Sequence, residues 1–130
     1  MTAHRHTALL VDDDPDACEA LTVLIELSDY TVVATHTARD AVARLRGGLR
    51  CCVIILDWWL PDMNGADFLR LLNADPNLAD IPVAVCTGDD RIRQEATALG
   101  AKYVFLKPVE PTDLVDVLDD HCPKRGSRVA

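Results

Sequence analysis

The sequence predicts an α/β fold, a five-stranded parallel sheet doubly wound with helices on both faces, and three observations carry the prediction. Short β-rich runs alternate with helical patterns five times along the chain. The runs hold Val, Ile or Leu on successive positions, as strands buried on both faces do. Three of them stop at polar residues: Leu9-Leu10-Val11 leads into Asp12-Asp13-Asp14, Val53-Ile54-Ile55-Leu56 into Asp57, and Val83-Ala84-Val85-Cys86 into Thr87-Gly88. The carboxyl ends of parallel strands are where open sheets place their ligand sites.

The elements follow in order. Strands are expected over Ala8–Val11, Thr31–Ala34, Cys52–Leu56, Val83–Cys86 and Tyr103–Leu106. Asp14-Pro15 supplies an N-cap and a first-turn proline for a helix whose stripe is Ala17, Leu21, Leu24, Ile25 and Ser28. Thr37, with Asp40 three residues on, resembles a capping box for a helix built on Ala41, Val42 and Leu45 and ended by Gly47-Gly48. Phe68, Leu69, Leu71 and Leu72 mark a third helix that Pro76 stops. Ile92, Ala96 and Leu99 mark a fourth closed by Gly100, and Glu110-Pro111 opens a fifth that carries Leu114, Val115 and Leu118 and halts at Pro123. Right-handed crossovers give the flavodoxin-like order 2-1-3-4-5. That order makes the ends of the first and third strands neighbours.

A chain of 130 residues is long enough for one domain. A formal net charge of −8 argues against direct nucleic-acid binding, which rests on Lys and Arg at phosphates. No apolar stretch is long enough to span a bilayer and no signal pattern opens the chain, so no membrane association and a cytoplasmic location are expected. The five cysteines, Cys18, Cys51, Cys52, Cys86 and Cys122, lack Cys-x-x-Cys spacing and are odd in number. They read as small buried hydrophobes in a reducing compartment. Cys51 and Cys52 alternate to opposite strand faces and are not expected to pair.

The predicted topology gathers Asp12, Asp13, Asp57, Thr87 and Lys107 at one rim. At ~4 Å and an effective dielectric near 20, each like-charged carboxylate pair costs about 4 kcal/mol, so a cation is required. A partly hydrated Mg²⁺ held by one to three carboxylates fits this donor set. Lys107 adds a second positive charge and Thr87 a hydroxyl donor. Nucleophile, metal, lysine and hydroxyl together describe a site for moving a phosphoryl group onto a carboxylate.

Val11-Asp12-Asp13, Leu56-Asp57-Trp58-Trp59-Leu60-Pro61-Asp62-Met63-Asn64-Gly65, Cys86-Thr87-Gly88 and Leu106-Lys107-Pro108 resemble, in order and in spacing, the motifs of the response-regulator receiver domain of two-component signalling. The resemblance covers about residues 7 to 122. It divides the chain into a mobile N-terminus (1–6), a single receiver domain (7–122) and a basic mobile tail (123–130). It implies that Asp57 is the phospho-acceptor, supplied by a histidine kinase or a histidine phosphotransfer protein. Asp12, Asp13, Asp57 and the Trp59 backbone carbonyl would hold Mg²⁺, while Thr87 and Lys107 would engage the phosphoryl group. The protein would be a signalling switch and not an enzyme acting on others. Its output surface, the fourth helix, fifth strand and fifth helix, would serve an unknown downstream partner, onward phosphotransfer or a homodimer formed on phosphorylation.

Two departures stand out. Val104 occupies the position where receivers usually carry Tyr or Phe, and Tyr103 falls one place early, on the opposite strand face. The switch is therefore expected to run through Thr87 and the fourth helix without a ring flip. Trp59 stands where small or polar residues are common and is expected to slow loss of the phosphoryl group, whereas Asp89, on the same path, would orient water. Two other readings compete. A receiver-fold binding module that works without phosphorylation is opposed by the full set of acceptor-site residues and kept open by Val104. An aspartyl-nucleophile phosphatase needs a second Asp at the position of Trp59. Asp14 reads as an N-cap, His4 and His6 as parts of a disordered end, His36 and His121 as solvated, and Asp119-Asp120 as a solvated helix face.

Overall fold

The computed structural model describes residues 6–122. Within them five strands and five helices alternate: β1 (Thr7–Val11), α1 (Pro15–Glu26), β2 (Thr31–Thr35), α2 (Ala38–Arg46), β3 (Val53–Asp57), α3 (Gly65–Ala74), β4 (Val83–Thr87), α4 (Ile92–Ala98), β5 (Tyr103–Leu106) and α5 (Pro111–His121). The sheet is parallel with the order β2-β1-β3-β4-β5, as the sequence predicts. His4, Pro123 and the expected mobile segments, apart from His6, lie outside the described residues.

Alternation along the strands divides the core. Leu9, Val11, Ile54, Leu56, Val83 and Val85 pack with α2, α3 and α4. Ala8, Leu10, Val53, Ile55 and Cys86 pack with α1 and α5 on the other face. Burying apolar surface on both faces drives this arrangement and explains why the strands carry unbroken apolar runs.

The helix starts follow the expected chemistry. The Asp14 carboxylate accepts from the Asp16 and Ala17 amides, and the Thr37 hydroxyl accepts from the Asp40 amide. Gly48 and Gly100 close α2 and α4 at φ 105° and 104°, a region costly for side-chain-bearing residues.

The stripe of α1 differs from expectation. Cys18 and Ile25 are buried, whereas Leu24 is exposed together with Val23 and Leu27. Apolar residues at 21, 23, 24, 25 and 27 offer two nearly equal phases, and packing against α5 selects one of them.

The far end of α5 also departs from expectation. Cys52 and Cys122 form a disulfide, so these two are not the free buried thiols the composition led us to expect. Cys51 stays free and packs toward the opposite core, as strand alternation requires. Asp119 is not merely solvated, because it accepts a hydrogen bond from the buried Tyr30 hydroxyl. His121 is likewise engaged, with Nε2 2.9 Å from the Tyr103 hydroxyl.

Candidate functional site

Two neighbouring strand ends bring the acidic residues together. β1 and β3 are paired through Val11 and Leu56, so the residues that follow each, Asp12 and Asp57, lie side by side. Among the described residues, Asp12, Asp13 and Asp57 each offer a carboxylate oxygen, all within 4.8 Å of one another. Asp12 and Asp57 are buried and Asp13 is exposed, so the cluster opens to solvent on one side.

Neighbouring backbone groups fix the Asp12 turn. Its Oδ1 accepts from the Asp14 amide at 3.0 Å. Its carbonyl oxygen accepts from the Cys18 thiol at 3.2 Å and has His36 Nδ1 at 3.0 Å. Burial and the surrounding carboxylates push the Cys18 thiol up to about 11, which keeps it protonated and able to donate. His36 is thus exposed but engaged with the turn that carries the acids.

Lys107 completes the constellation. Its Nζ lies 3.2 Å from Asp57 Oδ1 and 3.9 Å from Asp12 Oδ2. Its amide donates to the Thr87 carbonyl at 2.8 Å, which ties the end of β5 to the end of β4, and the Lys107–Pro108 peptide is cis. Burial raises the Asp57 pKa, the Lys107 charge opposes this, the Asp12 charge adds to it, and the net direction is upward. For Lys107, burial acts downward, but attraction to Asp57 and Asp12 prevails and its pKa is raised.

Thr87 is buried at the end of β4, and its hydroxyl accepts from the Asp89 amide at 3.1 Å. Asp89 is occupied in turn. It accepts from the Arg91 amide at 3.0 Å and from Arg91 Nε and Nη2 at 2.9 Å each. These hydrogen bonds hold its carboxyl below the usual range.

The two tryptophans part company. Trp58 is buried against Gly65, where an added Cβ would stand 2.6 Å from Trp58 Cδ2. Trp59 is 57% exposed, and its amide helps hold the Asp57 carboxylate. Tyr103 faces the α5 side, stacked on Phe105 and edge-on to His121, while the half-buried Val104 faces the other core.

Asp62 has a role that no local motif marks. Its carboxylate accepts from the Ala38 amide at 3.0 Å and the Arg39 amide at 2.9 Å, so the loop after β3 caps α2 from outside. No spacing rule links residues so far apart. The topology alone, which sets the β3 and β2 exits at one rim, gives the hint.

The donor set fits a Mg²⁺ ion: hard oxygen ligands, two of them buried, open to water at Asp13. Among the described residues no helix is long and apolar enough to cross a membrane.

The comparisons with known proteins agree with this geometry. The chain is 32% identical over 117 residues to the DNA-binding response regulator MtrA of Mycolicibacterium smegmatis, a match covering 88% of this chain and 50% of that protein. It is 31% identical over 108 residues to the two-component response regulator ORR7 of Oryza sativa subsp. japonica, covering 82% of this chain and 51% of that protein. The chain thus spans about half the length of these relatives. The structure of the chemotaxis response regulator CheY4 of Vibrio cholerae superposes with a TM-score of 0.81 at 25% identity, covering 90% of this chain and 98% of that one. Residues 8–119 match the sequence profile of the response regulator receiver domain, and the chain belongs to that family.

Proposed function

We propose that the chain is a phosphorylation-driven switch in which Asp57 accepts a phosphoryl group from a phosphohistidine of a histidine kinase or histidine phosphotransfer protein. The observation that carries this reading is the placement of Lys107 Nζ 3.2 Å from Asp57 Oδ1 within a cluster of three carboxylates. A carboxylate oxygen of Asp57 attacks phosphorus, the new O–P bond forms as the P–N bond to the donor histidine breaks, and the imidazole leaves. Lys107 and the Thr87 hydroxyl then pair with the phosphoryl oxygens. Asp12, Asp13, Asp57 and the Trp59 carbonyl would hold Mg²⁺, which supplies positive charge against the carboxylates and phosphoryl oxygens when bound.

Two features favour a long-lived phosphorylated state. Trp59, two residues after the acceptor, carries a large exposed indole that would screen the acyl phosphate, and the Asp89 carboxylate that would otherwise orient water is held by Arg91. Trp59→Asn is expected to hasten phosphate release from the labelled protein, and an unchanged or slower release overturns this part. The Tyr103 ring is engaged by Phe105 and His121 on the α5 side, which favours a switch that leaves it in place. A Tyr103 ring found in a new position in a crystal structure with a phosphoryl mimic would contradict it.

In this reading the protein acts in the cytoplasm, without direct contact to nucleic acid or membrane. Output passes through α4, β5 and α5 to a protein partner, to onward phosphotransfer or to a second copy of the chain. The test is incubation with a small phosphodonor and Mg²⁺, wild type beside Asp57→Ala, read by intact mass. A phosphoryl adduct on wild type alone is expected. Its absence, together with failure to bind Mg²⁺, favours a receiver-fold binding module that works without phosphorylation. Continuous turnover of the donor into free phosphate would point to an aspartyl-nucleophile phosphatase.

A further inference from the structure

The geometry points to Cys52 and Cys122 as a reversible thiol–disulfide site, through which low-molecular-weight thiols and disulfides set how firmly the last turn of α5 is held to the sheet. Cys52 lies just before β3 and Cys122 just after α5, with their Cα atoms 5.4 Å apart and a sequence separation of 70. That Cα distance lies within the span a disulfide bridges without backbone movement. In a parallel sheet the start of β3 and the end of α5 both lie on the edge opposite Asp57. The clasp therefore joins the element that carries the acceptor to a helix of the expected output surface, from the far side.

The two sulfurs differ in access. Cys122 is buried at 1% exposure and Cys52 is half-buried, so an incoming thiolate reaches Cys52. As it attacks Cys52 Sγ, a solute–Cys52 bond forms and the Cys52–Cys122 bond breaks, and the electron pair leaves on Cys122 Sγ, which takes a proton. A second solute thiol attacks the solute sulfur and releases Cys52 as a thiol. Two solute thiols are thereby oxidised to one solute disulfide while the protein disulfide is reduced to two thiols, and the reverse sequence restores it.

The remaining cysteines stay out of the exchange. Cys51 and Cys86 are each pushed up to about 12 and Cys18 to about 11, with burial the main cause, so all three are protonated near neutral pH. Reduction does not release α5 outright. The Tyr30–Asp119 and Tyr103–His121 hydrogen bonds still hold its end, so the change is a loosening of the final turn.

The site is independent of phosphoryl chemistry at Asp57, and its test is separate. The full chain is equilibrated in glutathione buffers from fully oxidised to fully reduced, quenched in acid, alkylated and mapped by mass spectrometry. Hydrogen exchange is followed across 114–122. The expected result is a Cys52–Cys122 crosslink that titrates with the buffer and about tenfold faster exchange in the last turn when reduced. Glutathione should be trapped on Cys52 in Cys122→Ser in preference to Cys122 in Cys52→Ser. A pair that stays dithiol in every buffer, exchange that is equal in both states, or an adduct favouring Cys122 overturns the proposal. If a serine variant fails to fold, the wild-type titration and exchange decide it.

Discussion

Replacing Lys107 by Met removes the one cation paired with Asp57 among the described residues while keeping much of the apolar stem. At an effective dielectric near 20, the 3.2 Å contact to Asp57 is worth about 5 kcal/mol and the 3.9 Å contact to Asp12 about 4 kcal/mol before screening. Each carboxylate pair within the 4.8 Å cluster costs about 3.5 kcal/mol or more on the same scale. The lysine therefore offsets most of what the acids cost one another. Its side chain is 40% exposed, so solvent screening and the desolvation cost of burying part of it reduce the net loss on Lys107→Met to about 2 kcal/mol. For a chain of this size that corresponds to a midpoint roughly 8 °C lower at pH 7 without Mg²⁺.

Two conditions should close the gap. Burial raises the folded-state pKa of Asp57 above its unfolded value of 3.8, so its ionisation removes stability as pH rises from there through the folded pKa. Below the raised folded pKa Asp57 is neutral and Lys107 pairs with Asp12 alone, so the variant's deficit shrinks as pH falls toward roughly 4. The raised Lys107 pKa places the loss of its own contribution above the ordinary lysine value of 10.5, outside the tested range. Added Mg²⁺ replaces the missing positive charge and should stabilise the variant more than the wild type. The assay is thermal unfolding of both proteins between pH 7 and roughly 4, with and without Mg²⁺. A variant as stable as wild type at pH 7, or a deficit indifferent to both pH and Mg²⁺, refutes the reasoning.

Three further outcomes are expected. Gly65→Ala drives a methyl group into the Trp58 indole and should cost about 1–3 kcal/mol, read as a lower urea midpoint at unchanged slope, with a smaller loss when Trp58→Leu makes room. Asp62→Ala removes the acceptor for two α2 amides and should cost about 1 kcal/mol at neutral pH. Slight burial acts against it, but those amides hold the Asp62 pKa down, so its contribution is present above the unfolded value of 3.8 and fades as pH falls through the lower folded one. A loss that persists unchanged in acid would show that the cap is not the cause. Reduction of the Cys52–Cys122 bond opens a 70-residue loop, for which chain entropy sets a ceiling of about 4.4 kcal/mol. A thiol reductant should lower the wild-type midpoint and leave a Cys52→Ser/Cys122→Ser protein unmoved.

Much of this molecule is legible from local chemistry. The strands announce themselves because double-sided burial demands unbroken apolar runs, and Asp14 and Thr37 cap their helices because short oxygen-bearing side chains reach the amides ahead of them. The rim residues follow from the strand order. What escapes is set by long-range packing. The phase of α1 depends on α5, which no local pattern reports. Asp62 reaches α2 across 23 to 24 residues of chain, and Cys52 finds Cys122 because β3 starts and α5 ends on the same edge. The strand order puts both ends on one edge but keeps β4 between β3 and β5, and only the packing of α5 against β3 brings the two sulfurs together.

With Val104 in place of an aromatic ring, the loop after β4 is the link between Thr87 and the outer surface. Thr87 holds the Asp89 amide, and Asp89 holds Arg91 through its side chain and backbone. Arg91 precedes α4, a seven-residue helix whose N-terminus has no side-chain cap. Arg93 on that helix donates to the Val104 carbonyl at 3.2 Å. If Thr87 turns toward a phosphoryl group on Asp57, it must give up the Asp89 amide, and the loop that positions α4 loses its fixed point. A short, uncapped helix opposes such a shift with little free energy of its own. The Arg93 contact then carries the displacement onto β5 through its backbone, which any side chain at 104 permits. This path would let the proposed switch work without a moving ring, while Tyr103, through its contact with His121, helps hold the end of α5.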